Sequence, residues 1–114
     1  MDFACKSFSI DEVVRCSLSL TKAEFKVLEF LIKNDLNKFK SDHIAKVLNL
    51  DISTTQRCLK KLNEKNIVSR SQFNLLKGGY VYAYKITDKK QIKQIISDII
   101  AKWADKFHKE IDKW

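Results

Sequence analysis

A mainly α-helical domain with one small β-hairpin is the fold class predicted by this 114-residue sequence, and three observations predict it. Apolar residues recur at helical spacing in three consecutive segments between positions 20 and 62, each opened by Ser or Thr. The only two glycines, Gly78 and Gly79, stand side by side between two β-prone runs. From position 87 the period turns helical again, along an apolar stripe that runs to Trp114.

Residues 10–18 place Ile10, Val13, Val14 and Leu18 on one side, which predicts a short accessory helix capped by Ser9 with Glu12 three positions on. Thr21 and Glu24 form a capping box for the next helix, whose broad stripe of Phe25, Val27, Leu28, Phe30, Leu31 and Ile32 marks it as the buried scaffold. Asn34, Asp35 and Asn37 supply a turn, and Phe39 folds back over the core.

Two short helices follow at 41–68. Ser41 is positioned to cap the first, which carries Ile44, Ala45, Val47 and Leu48. Asn49 tolerates the left-handed conformation that ends it, with Leu50 as an apolar plug beneath the turn. The second is expected over about residues 53–65, started by a Ser53/Gln56 capping box. Its inner face is Thr55, Cys58, Leu59 and Leu62. Its outer face carries Thr54, Gln56, Arg57, Lys60 and Lys61, a donor-rich set suited to phosphates and base edges. Asn66 caps the end, and a hairpin over about 67–86 turns at Lys77-Gly78-Gly79. Tyr80, Tyr82 and Tyr84 alternate along its second strand; packing against a core is the expected reason, with base stacking as the rarer one.

The terminal segment carries Ile92, Ile95, Ile96, Ile99, Ile100, Trp103, Phe107, Ile111 and Trp114 on one stripe. A small domain covers only part of such a face, so a second protomer is the expected cover, with Ile92, Ile96, Ile99, Trp103 and Phe107 as dimerisation residues. The chain then divides into an accessory segment (1–19), a central domain (20–86) and a terminal dimerisation helix (87–114).

The formal charge of +8 favours polyanionic partners. The excess is concentrated in residues 41–86, where 8 basic and 3 acidic side chains leave +5. No apolar run is long enough to span a membrane and the amino end is not secretory, so a cytoplasmic location with no membrane partner is expected. The cysteines at 5, 16 and 58 form no paired motif, which argues against a zinc site and a disulfide framework. Cys16 and Cys58 are expected as small core residues. Cys5, in an amino end expected to be mobile, is the one considered for redox sensing. His43 and His108 have no nucleophile, phosphate loop or metal-ligand spacing nearby, so neither an enzyme nor a cofactor is expected.

Taken together, LTKAEFKVLEFL at 20–31, IAKVLNL at 44–50, STTQRCLKKL at 53–62, EKNIV at 64–68 and the glycine turn before YVYAYKI resemble the winged helix-turn-helix transcriptional regulators of archaea and bacteria, most closely the MarR-like and TrmB-like groups. The resemblance implies a homodimer that binds double-stranded DNA, with the second helix of the pair in the major groove and the hairpin as a flanking wing. It assigns DNA contact to Thr54, Gln56, Arg57, Lys60 and Lys61, to Ser53 as cap and phosphate donor, and to Lys77 on the wing. Thr55 stands where Val or Ile is common, Asn49 and Asn66 replace glycines, and the wing tip lacks the arginine often found there. In MarR-like relatives a small molecule enters the cleft beside the dimer helix; this sequence names no such effector. Two other readings stay open, a winged-helix adaptor for protein partners of the transcription machinery and an RNA-binding winged helix.

Overall fold

The computed structural model describes residues 1–114. A short antiparallel hairpin opens the chain, β1 (Asp2–Phe3) and β2 (Lys6–Ser7), turning through Ala4 at φ 46° with Cys5 exposed beside it. The amino end is thus a hairpin, a feature too short for any residue pattern to announce.

Helices α1 (Ile10–Ser17) and α2 (Lys22–Lys33) follow. Ser9 caps α1 by accepting the Glu12 amide at 3.1 Å. The expected capping box starts α2: the Glu24 amide donates to Thr21 Oγ1 at 3.2 Å and the Thr21 amide to Glu24 Oε1 at 2.7 Å. Val27, Leu28 and Leu31 on its inner face are fully buried.

Helices α3 (Ser41–Leu48) and α4 (Ile52–Glu64) form the expected pair, but both begin earlier than their sequence signals suggest. Ser41 is the first helical residue and not the cap; Lys40 holds the cap position without a side-chain bond. Asp51 precedes α4, and the first rung of its ladder is the Thr55 amide donating to the Asp51 carbonyl at 2.9 Å. Ser53 therefore already lies inside the helix, and the Ser53/Gln56 box does not form. The inner face is as expected, with Thr55, Cys58, Leu59 and Leu62 all buried.

Three helix ends share one device. Ser19, Asn49 and Asn66 adopt φ of 55°, 55° and 63°. One residue later, the amides of Leu20, Leu50 and Ile67 donate back to the carbonyls of Arg15, Ala45 and Leu62 at 2.9, 2.9 and 3.0 Å. Each left-handed residue costs free energy, on the order of 1 kcal/mol for a non-glycine residue. The turn satisfies helix carbonyls and returns an apolar side chain to the core, which offsets that cost.

Strands β4 (Val68–Asn74) and β5 (Tyr80–Ile86) make the wing in antiparallel register, Val68 opposite Ile86 and Asn74 opposite Tyr80. A third strand, β3 (Phe39–Lys40), adds to the other edge of β5, giving the order β3-β5-β4. Its register sets Phe39 opposite Tyr84 and Lys40 opposite Ala83. Phe39 also covers the core as expected, its ring 4.9 Å from that of Phe30. Of the three wing tyrosines only Tyr84 is buried; Tyr80 is exposed at the far end.

Helix α5 (Lys89–Ile111) is capped by Asp88, which accepts the Lys90 amide at 3.0 Å. At 1.5 Å per residue its 23 residues run about 35 Å. Its early part packs on the domain through Ile92, Ile95, Ile96 and Ile99, and its later part projects, stretching the molecule to 65 × 24 × 23 Å. Ile92 is buried in the core of its own domain, so its assignment to a dimer contact is corrected. Cys16 is likewise corrected: it is exposed on α1, facing an apolar cleft toward α5 that also holds Val13, Ile99 and Trp103. No helix is long and apolar enough to cross a membrane.

Candidate nucleic-acid interface

The outer face of α4 and the inner side of the wing enclose an open groove of about 550 Å³. Gln56 and Lys60 line it from α4, Lys40, Ser41 and Asp42 from the start of α3, and Arg70, Tyr80 and Tyr82 from the wing. It is a mixed polar and aromatic surface, with Asp42 as its one carboxylate. Asp42 is turned back on its own helix, where Oδ1 accepts the His43 amide at 2.9 Å.

The residues assigned from sequence divide in their placement. Ser53, Gln56, Arg57 and Lys60 are exposed on α4, and Thr54 is half-buried beside Arg57, whose guanidinium reaches its hydroxyl at 3.4 Å. Lys77 is exposed in the wing loop. Arg57, Lys60 and Lys77 form no ion pair, nor do Lys40 and Arg70, which leaves these cations uncompensated.

Lys61 is different. One position from Lys60, it points to the opposite flank of α4 and donates to Glu24 Oε1 at 3.1 Å and to the Ser19 carbonyl at 3.3 Å. Lys65, one turn on, donates to the Leu18 carbonyl. The two ammonium groups meet the carbonyl end of α1, where the helix dipole favours positive charge. Burial pushes the Glu24 carboxyl up, but the Thr21 amide and the Lys61 ammonium outweigh it and hold the group below its ordinary value. Burial, followed by the Lys61 charge, lowers Lys65. Lys61 thus belongs to the internal packing of α4 on α1 and α2, which corrects its placement with the outward-facing donors.

The groove also contains residues that sequence reasoning did not assign. Arg70 lies over the Tyr82 ring at 4.2 Å, a cation–π arrangement that holds the guanidinium beside α4. Tyr80 meets Tyr82 edge-on at 5.2 Å. The Tyr82 hydroxyl pushes the Tyr80 phenol above its ordinary value. Lys40 enters because β3 sets it opposite Ala83. Only the strand register brings these groups together. A signal was nevertheless present in the sequence: no acidic residue occurs from 65 to 87.

Cys58 is inert packing, its thiol pushed up first by burial and then by the Glu24 charge. No group of His, Cys, Asp and Glu side chains is arranged to hold a metal ion.

Similarity to known proteins agrees with this architecture. A solved structure described as a possible transcriptional regulator from Methanosarcina mazei Go1 superposes with a TM-score of 0.93 at 46% identity, over 100% of this chain and 95% of that one. A MarR-family protein of Enterococcus faecalis V583 superposes with a TM-score of 0.55 at 13% identity, over 99% of this chain and 100% of that one, a likeness of fold alone. An uncharacterized protein of Methanocaldococcus jannaschii is 28% identical over 109 residues, covering 96% of this chain and 81% of the relative. The sequence profile of the DnaD N-terminal domain matches residues 8–107, and this winged-helix chain belongs to that family.

Proposed function

We propose that the protein is a transcriptional regulator that binds duplex DNA as a homodimer, with α4 in the major groove and the wing alongside. The observation that carries this reading is the convergence of uncompensated Lys40, Lys60 and Arg70 with the amide of Gln56 on one groove between α4 and the wing. Cations without internal partners attract phosphates, while a side-chain amide on the same helix face offers a donor and an acceptor to a base edge. Arg57, Ser53, Thr54 and Lys77 extend the surface toward the flanking backbone. The similarity to the Methanosarcina mazei protein supports a role in transcription.

The dimer is made by the projecting part of α5. Trp103 is 63% exposed and Phe107 50%, their rings stacked 6.1 Å apart. Ile99 continues the stripe inward, and Ile96 contributes only its uncovered edge. Two α5 helices packed along this stripe bury both aromatic pairs and hold two copies of α4 for half-sites about one helical turn apart.

Titration of a labelled duplex at several salt concentrations tests the reading. Affinity falls steeply with salt through counterion release, and Arg57→Ala and Lys60→Ala each weaken binding by about tenfold without changing the fold. Wild-type binding by both variants would mean that the assigned surface is wrong. Structured RNA as competitor separates duplex DNA from RNA as the target.

A further inference from the structure

We propose that the wing tip, taken as part of the DNA-binding surface described above, carries an apolar wedge, Leu75 and Leu76, that enters the minor groove and partly unstacks a base step. Hairpin loops are ordinarily polar. Here the loop between β4 and β5 reads Leu75-Leu76-Lys77-Gly78-Gly79, and Leu76 is completely exposed, with a relative accessibility of 108%. Leu75 and Phe73 are each 47% exposed and Tyr80 56%, so apolar side chains make up most of the exposed tip.

The tip is also firmly built. The Leu75 amide donates to the Gly79 carbonyl at 3.0 Å, and the Gly78 amide donates to the Leu75 carbonyl at 3.1 Å. Gly78 and Gly79 take φ of 92° and 79° with open space where a Cβ would stand, so they serve the conformation of the loop and not a close approach. Two leucines are therefore held at the end of a closed turn, a poor place for them in water.

The charge around the tip selects the occupant. Lys77 directly follows Leu76, the Lys38 ammonium lies 5.6 Å from the Phe73 ring centre, and no acidic residue occurs from 65 to 87. A polyanion with an apolar interior fits this combination. The tip is continuous with the groove through Tyr80, which places it beside the track of a duplex seated on α4. Architectural DNA-binding proteins insert Leu, Ile or Phe side chains between base steps from the minor groove, with basic residues gripping the flanking phosphates. Lys77 is suited to grip, and Leu76, with Leu75 behind it, to wedge. The missing arginine at this tip is then replaced by a different mode of contact.

The test uses the full chain and a mixed-sequence duplex with a flexible TA step, labelled at both ends for energy transfer and carrying 2-aminopurine at the step. Wild-type protein bends the duplex and raises 2-aminopurine fluorescence. Leu76→Gln leaves thermal unfolding unchanged, lowers affinity by about tenfold and abolishes both signals, while the salt slope stays as in wild type. Leu76→Met retains both signals. Lys77→Ala lowers the salt slope by about one and keeps the bend. If Leu76→Gln binds and bends as wild type does while Lys60→Ala loses affinity, the wedge is wrong and the DNA-binding reading survives. If no variant matters because wild type does not bind duplex, the function proposed above fails first. Leu76-dependent binding to phosphatidylserine vesicles with no 2-aminopurine response would assign the tip to a lipid surface and overturn the wedge.

Discussion

Lys61 Nζ lies 3.1 Å from Glu24 Oε1, across the junction of α4 and α2, while the neighbouring Lys60 faces the groove on the other flank of the same helix. Two adjacent lysines thus serve different ends, one orienting α4 and the other offering its charge outward. The Glu24 carboxylate is the pivot, because it also closes the Thr21 capping box.

The pair is separable by mutation. Lys61→Ala leaves Glu24 without its ammonium and is expected to lower stability by about 1 kcal/mol, a melting-temperature drop of several degrees for a domain of this size, with little change in salt slope. Lys60→Ala should do the reverse, leaving the melting temperature in place and lowering the salt slope of duplex binding by about one. Calorimetry and a salt titration on both variants check this; equal loss of stability would show that Lys60 also packs internally.

Stability should respond to acid through Glu24. Its folded pKa is depressed, so its contribution is complete above the ordinary carboxylate value and is lost as the pH falls through the depressed one. Glu24→Gln removes this dependence. Melting curves across the acidic range should therefore be steeper for wild type than for the variant, and parallel curves would exclude Glu24 as the linked group.

The stripe of α5 should divide at its middle. Trp103→Glu or Phe107→Glu places a charge on the projecting face and is expected to give a folded monomer in sedimentation. Ile92→Ala leaves a cavity in the domain core and should cost about 2–4 kcal/mol without acting through association. A dimer that survives both glutamate variants would move the interface elsewhere.

The left-handed turn after α4 gives a simple check on the backbone. Asn66→Ala should destabilise by about 1 kcal/mol because alanine tolerates positive φ less well, whereas Asn66→Gly should be neutral or better. The backbone carbonyl at this position also accepts bonds from Thr87 Oγ1 and Gln91 Nε2, which both variants retain. Thermal unfolding distinguishes them.

Much of this architecture was legible because it is local. The i, i+3, i+4 spacing of Thr55, Cys58, Leu59 and Leu62 locates the buried face of α4, and positive φ at Asn49 and Asn66 follows from the need to end a helix. The same signal misleads when a competing residue starts the helix: T-x-x-E at Thr21 is a real box, but S-x-x-Q at Ser53 falls inside α4 because Ile52 already has helical geometry. Strand β3 has only two residues, too few for a period. Arg70 was missed because its partners, Tyr82 and α4, are set by register. Ile92 and Trp103 share one stripe, and only the docking of the first turns of α5 on the core shows which is already covered.

The acid-free wing has a consequence for how the surface can be controlled. From 68 to 87 there is no Asp, Glu, His or Cys, so none of the side-chain types that ordinarily titrate between about pH 4 and 9 is present. The wing is a fixed charge across the whole physiological pH range. The charge it offers to a polyanion is screened by salt and does not vary with pH in that interval.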